Sequence, residues 1–308
     1  MLTIYLLTHN RTQLALEAIR SILAQVDKRF NLIVSDNSDS DELKSLIDDC
    51  SDLTYIKRPK VLAGIDHGNL CLSEIKTEYF VLFHDDDVML PNFVASFWKA
   101  RTRFPDAVAF GANAQIKDHG LNKSLSFKAA SDYIGPMDAN DLLRRYFSHH
   151  QMGIAPFPSY IYRRASLGNL RLDVTGGKYS DVRWLVEWAK LGSMIWISEP
   201  MMVYQLHASN DGNVESRHDR LRFLVFLKSP KLILNPEILS DYRNFLYKKL
   251  LSNAKKSGNV DSSYRHHLMS RFVVNHRYQR IFRFSFYKAL IKKLATRFLI
   301  QFCKKGYR

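Results

Sequence analysis

Tyr79-Phe80-Val81-Leu82-Phe83-His84-Asp85-Asp86-Asp87 is an apolar run that breaks off into three adjacent carboxylates. The first five residues have the length and composition of a buried strand, and the polar step after them is abrupt. Carboxylates crowded at a strand's C-terminal edge repel one another and raise each other's pKa unless a cation sits among them. A hard divalent ion, Mg²⁺ or Mn²⁺, with a diphosphate on its other side would relieve that repulsion. Taken alone, an acidic triplet reads equally well as a solvated turn, so the rest of the chain has to decide.

Around this run the first hundred residues alternate strand and helix patterns. Strands are predicted at Leu2–Leu7, Leu32–Val34 and Leu53–Ile56, besides Tyr79–Phe83 itself. Helices are predicted at Thr12–Ala24, Asp41–Cys50 and Gly68–Ile75. Such alternation implies parallel pairing, right-handed crossovers and ligands at the strands' carboxyl ends. The polar clusters Thr8-His9-Asn10-Arg11, Asp36-Asn37-Ser38 and His84 to Asp87 each follow a strand directly. A parallel sheet would therefore gather them on one edge.

Further on the pattern is less regular. Residues 101–160 mix Phe, Tyr, Gly and Pro without a clean period and are expected to hold the remaining strands and an acceptor-side loop. A helix is predicted at Val182–Leu191 and a short strand at Met194–Ile197. Trp184 and Trp188, four apart, fit core packing better than sugar stacking. After Pro230 and Pro236 long helical patterns run to the C-terminus.

The composition bounds the class. At 308 residues the chain holds one large domain plus an appendage, or two domains. No stretch approaches the roughly 20 apolar residues of a membrane span, and no secretory signal is visible at Met1. Cys50, Cys71 and Cys303 make neither a disulfide framework nor a zinc pattern, which suggests a cytoplasmic protein with reduced thiols. Residues 231–308 hold 18 Lys and Arg against Glu237, Asp241 and Asp261, a net of +15 that equals the charge of the whole chain. A neutral body with a basic tail suggests chemistry in the first part and attachment to something anionic in the second.

The motifs in combination resemble the family 2 glycosyltransferases of the GT-A fold, which build bacterial surface polysaccharides. The resemblance rests on Thr8-His9-Asn10-Arg11, Val34 to Ser38, Asn69 ahead of Glu78 to Asp87, Gly176 to Asp181, and Tyr204 to Asn210. It implies an α/β fold: a GT-A, Rossmann-like domain with a mostly parallel central sheet over residues 1–228, followed by a basic helical region over 229–308. It also implies an inverting transfer from a nucleoside-diphosphate sugar, UDP-sugar by family frequency, to a hydroxyl of a glycan or lipid-linked acceptor.

By that resemblance Asp36 binds the uracil or ribose, with Thr8, Asn10 and Arg11 around it, and Asn69 orders the sugar-side backbone. Asp87 is the implied ligand for Mn²⁺ or Mg²⁺. Asp85 holds ribose or shares the cation, Asp86 faces the acceptor side, and His207 completes the metal or diphosphate site. His84 is set aside as a ligand, because relatives vary there. Asp181 is the implied general base, although its position also suits a helix N-cap. Ser180 stands where relatives often carry Glu, and Gln205 where they often carry Arg.

Residues 281–302 carry an apolar stripe, Phe284, Tyr287, Ile291, Leu294, Phe298 and Phe302, flanked by lysines and Arg297. An anionic membrane, a second copy in a homo-oligomer, or the catalytic domain could each cover it. Two other function classes compete with the transferase. One is a nucleic-acid-binding protein using the basic tail, for which no recognition motif is present. The other is a nucleotide-binding scaffold without catalysis.

Overall fold

The computed structural model describes residues 1–58, 62–118, 120–147, 152–173, 177–206 and 216–256. The expected His207 site and the 281–302 stripe lie outside these residues. Met1–Tyr242 forms one compact unit, and Arg243 opens a second.

The first half is built of strand–helix units: β1 (Leu2–Thr8), α1 (Thr12–Leu23), β2 (Phe30–Asp36), α2 (Glu42–Ile47), β3 (Leu53–Lys57), α3 (Gly64–Glu74) and β4 (Tyr79–His84). Then come β5 (Val88–Met89), α4 (Phe93–Arg103), β6 (Ala109–Asp118), β7 (Leu121–Leu125), β8 (Tyr133–Met137), α5 (Ala139–Tyr146) and β9 (Ile161–Arg163). The last elements are α6 (Ser180–Leu191), β10 (Met194–Leu206), α7 (Arg217–Leu227) and α8 (Pro236–Lys256).

One sheet runs in the order β3-β2-β1-β4-β9-β6-β10-β5, with β7 paired to β6 and β8 to β10. Strands β1 to β4, β6 and β10 share one direction, while β9 and β5 run against it. The mostly parallel α/β sheet expected from the alternation is therefore present. Its register has a chemical consequence. Thr8 lies opposite Asp36 and Leu7 opposite His84, so the polar ends of β1, β2 and β4 meet at one edge.

Burial explains why these strands hold. Leu2, Ile4 and Leu6 of β1 pack in one core with Tyr79, Val81 and Phe83 of β4 and with Ala15, Ile19 and Ile22 of α1. Each fully buried side chain of this size stabilises by about 1.5–3 kcal/mol. On the opposite face Phe80 meets Tyr162 and Trp188, and Trp184 packs edge-on against Trp188, with centroids 5.7 Å apart. The tryptophans of α6 are core residues.

Several boundaries differ from the sequence reading. Helix α3 begins a full turn early, at Gly64, because burial of His67 and Gly68 against the sheet outweighs the poor helix propensity of its glycines. Helix α6 begins at Ser180 with Tyr179 at its N-cap, so Asp181 lies inside the first turn and is not the cap. Strand β10 runs on to Leu206 through irregular pairing around Pro200, far beyond the four residues expected. Ile238 and Tyr242 are buried, and the Tyr242 ring packs 5.4 Å from Phe223, so the first unit carries a core beyond residue 228.

Candidate active site

The carboxyl edge of the sheet opens into a cleft of about 2000 Å³. Thr8, Arg11, His84, Asp85, Asp86 and Asp181 all line it, although they come from three separate stretches of sequence. Five of these come directly from the ends of β1 and β4; the sixth sits in the first turn of α6.

The three aspartates are not equivalent. Asp85 accepts from Arg11 Nη1 at 3.2 Å and from the His9 backbone N–H at 3.4 Å. Asp86 accepts from the same Arg11 nitrogen at 3.1 Å. Asp87 is 1 % exposed, and its Oδ1 accepts from the Gln205 backbone N–H at 3.1 Å. Its Oδ2 is buried with no hydrogen-bond partner among the described residues. Burial, reinforced by the charges of Asp86 and Asp85, pushes the Asp87 carboxyl well above the ordinary carboxylate range. A buried oxygen of this kind is costly unless something positive meets it.

His84, Asp86 and Asp87 each offer one ligand atom, and these atoms all lie within 4.8 Å of one another. Carboxylate oxygens with an imidazole nitrogen suit Mn²⁺ well and Mg²⁺ less so. The donor set and the orphaned Asp87 oxygen therefore fit a divalent cation. Their membership departs from the sequence reading: His84 is in the cluster and Asp85 is not, while Arg11 binds both Asp85 and Asp86.

Asp181 is solvent-accessible through the cleft mouth yet surrounded by protein, and this crowding pushes its carboxyl upward. The Val182 N–H and His84 oppose the shift. Lys178 and Tyr204 line the same space. The turn leading to Asp181 is held from the side by Asp219. Gly177 has φ +55°, and a Cβ added there would come 1.9 Å from the Asp219 Oδ1. Asp219 also closes a capping box with Ser216 at the start of α7.

Other expected site residues are placed differently. Asp36 is fully buried and lies off the cleft lining. Its Oδ1 accepts from the Ser38 N–H at 2.7 Å, its Oδ2 from the Tyr55 hydroxyl at 2.6 Å, and Lys57 is 3.7 Å away. Burial pushes its carboxyl up, but the Ser38 and Tyr55 bonds and the Lys57 charge more than cancel this, leaving it below the ordinary range. Asn10, in a left-handed turn at φ +54°, ties its side chain to Asp39 and so joins the β1 and β2 loops. Asn69 exchanges two hydrogen bonds, of 2.9 and 2.8 Å, with the Leu172 backbone. Arg11 reaches the aspartates, away from the end of β2.

Sequence reasoning passed over three cleft residues, His67, Asn37 and Asp219. Asn37 stood within a motif it quoted. Nothing local marks the other two, since both acquire their partners from distant segments.

A mostly parallel α/β sheet with an acidic, cleft-forming carboxyl edge is the arrangement in which α/β domains bind ligands. Residues 3–169 match the family described as Glycosyl transferase family 2, and the chain belongs to that family. Comparison with curated proteins finds no significant sequence match. Among solved structures, S. aureus TarS 1-349 in complex with UDP-GlcNAc is similar with a TM-score of 0.65 and 14% identity, covering 87% of this chain and 78% of that one. Its UDP complex gives 0.63 and 14%, over 86% and 77%. The structure of TarS 1-349 itself gives 0.60 and 15%, over 86% and 76%. At such identities the likeness shows the shared GT-A fold.

Proposed function

We propose that this family 2 glycosyltransferase moves a sugar, a hexose or N-acetylhexosamine, from a UDP-sugar to a hydroxyl of a glycan or lipid-linked acceptor. Bacterial surface polysaccharide assembly is the proposed setting, and transfer inverts the anomeric centre. The observation that carries this reading is that His84 and Asp86 line one cleft with Asp181, and that Asp87 is buried behind them within reach of the same two ligand atoms. The UDP-GlcNAc and UDP complexes of TarS support a uridine nucleotide as the donor carrier.

Each group has a role that its surroundings suit. Asp87, Asp86 and His84 would hold a divalent cation, which when bound offsets the charge of the diphosphate and of the departing nucleotide. Arg11 holds Asp85 and Asp86 in place and leaves Asp85 at the cleft wall, where it can accept from a ribose hydroxyl. Asp181, accessible but crowded, takes the proton of the acceptor hydroxyl as that oxygen attacks the anomeric carbon. Its raised pKa makes it a better proton acceptor than an ordinary surface carboxylate. Asp36, with both oxygens engaged, shapes the β2 end and leaves direct base contact to other residues.

Asp181→Asn tests the assignment. Nucleotide binding should persist, and nucleotide release from donor plus acceptor should fall about 10²–10⁴-fold. Turnover unchanged within a factor of two would place the base elsewhere.

A further inference from the structure

We infer that His67 reads the nucleobase, as a fixed neutral donor that favours a base with a carbonyl at the edge it meets over one with an amino group there. This rests on the reading of the cleft as a nucleoside-diphosphate-sugar site. The direction of the nucleotide follows from the sheet. The cation cluster stands at the end of β4, and Asp181 heads α6, which packs on β4 and β9 through Trp188. The nucleoside must then extend the other way, across β1 toward the end of β2.

His67 waits at that end. It sits in the first turn of α3, 3 % exposed, and lines the cleft. Its Nε2 is 2.7 Å from the Ser35 hydroxyl on β2. Ser35 Oγ in turn accepts from Arg58 Nε at 2.7 Å and lies 3.4 Å from the Cys71 sulfur. Arg58 cannot rotate away, because its two terminal nitrogens bind both Glu74 oxygens at 2.8 Å.

This chain of bonds sets the polarity of the ring. An arginine only donates, so one lone pair of Ser35 Oγ is taken by Arg58. The hydroxyl hydrogen then has two possible acceptors, the ring nitrogen at 2.7 Å and the thiol sulfur at 3.4 Å. Sulfur is the weaker acceptor and the more distant, so the hydrogen goes to Nε2. His67 therefore carries its own proton on Nδ1, the ring nitrogen that Ser35 does not engage. Burial, with the Arg58 charge, holds its pKa down at about 4, so the ring stays neutral at working pH. A neutral N–H donor matches a carbonyl oxygen, as on uracil, thymine or guanine. It meets the exocyclic amine of cytosine or adenine donor to donor, leaving both buried groups unpaired.

Calorimetric titration of the full chain with UDP and CDP, and with GDP and ADP, in Mn²⁺ tests this. UDP should bind about tenfold or more tightly than CDP, and the ratio should fall toward one in His67→Ala and Ser35→Ala. ¹⁵N-histidine spectra of the wild type should show His67 protonated on Nδ1, with that signal moving when UDP is added. Equal affinity for UDP and CDP, a preference for CDP, or an Nε2-protonated ring would overturn the inference while leaving the transferase reading intact. Binding of no nucleotide at all would instead remove the site reading on which it rests.

Discussion

At the scale of single residues, Asp87 and Gly177 carry the sharpest consequences. Asp87 keeps one carboxylate oxygen buried without a partner among the described residues, so replacing the carboxylate by an amide removes a charge that these residues do not satisfy. Asp87→Asn should melt higher than wild type in the absence of metal, by about 2–4 °C for each kcal/mol of relief. It should gain nothing from Mn²⁺, which should stabilise the wild type. A melting curve that drops, or that still responds to Mn²⁺, would show that Asp87 is not the ligand. Gly177→Ala meets both a left-handed φ and the Asp219 carboxylate, so turnover should fall while UDP affinity holds. Steady-state kinetics beside a binding titration separate the two.

Protonation also acts at this scale. The Asp181 carboxyl is raised by the protein crowded around it, so its basic form is lost at a higher pH than for an uncrowded aspartate. Turnover should rise with pH through that elevated pKa, and the acid limb should disappear from the residual activity of Asp181→Asn. The opposite sign applies to Asp36, whose folded pKa is depressed. Its contribution to stability is present above the unfolded value of about 3.9 and is lost as pH falls through the folded one.

Among the elements, α3 joins the two halves of the cleft. Its Asn69 grips the Leu172 backbone from 103 positions away, and its Glu74 anchors the Arg58 network. Asn69→Ala leaves the half-buried Leu172 backbone groups unpaired and should cost about 1–3 kcal/mol in thermal denaturation. The donor KM should rise as Leu172 loosens. An unchanged melting temperature and KM would reduce Asn69 to a surface residue.

Element-level legibility was uneven for physical reasons. Strands β1 and β4 announced themselves as apolar runs, since a parallel strand is buried on both faces. Strand β6 did not, because Ala109 to Ala114 carries small residues where the neighbours press close. A Cβ at Gly111 would lie 2.8 Å from Tyr160 and 2.9 Å from both Ala155 and Trp196. Space, not propensity, selects the residues there. The acidic triplet and Asp181 were legible as motifs; Asp85, Asp86 and Asp181 line one cleft, and Asp87 lies buried beside it. The sorting of Asp85 from Asp87, and the part played by His84, depend on where Arg11 and Gln205 reach; no local pattern encodes that.

For the whole molecule, the charge separates the chain into a neutral body and a basic C-terminal quarter. Among the described residues no helix is long and apolar enough to cross a membrane. Of the three covers considered for residues 281–302, an anionic membrane surface is the one that flotation tests. Full-length protein should float with vesicles containing anionic lipid, and protein ending at Lys256 should stay behind. Equal flotation of both would remove the tail from the account.

The central claim is that carboxylates from β4 and α6 meet at one sheet edge to hold a cation-bridged sugar donor. Titrating a UDP-sugar into the full chain with and without Mn²⁺ addresses it most directly. The account predicts binding that strengthens markedly with Mn²⁺ in wild type and loses that dependence in Asp87→Asn. Binding equally tight with and without the metal, or unaltered by the substitution, would contradict it.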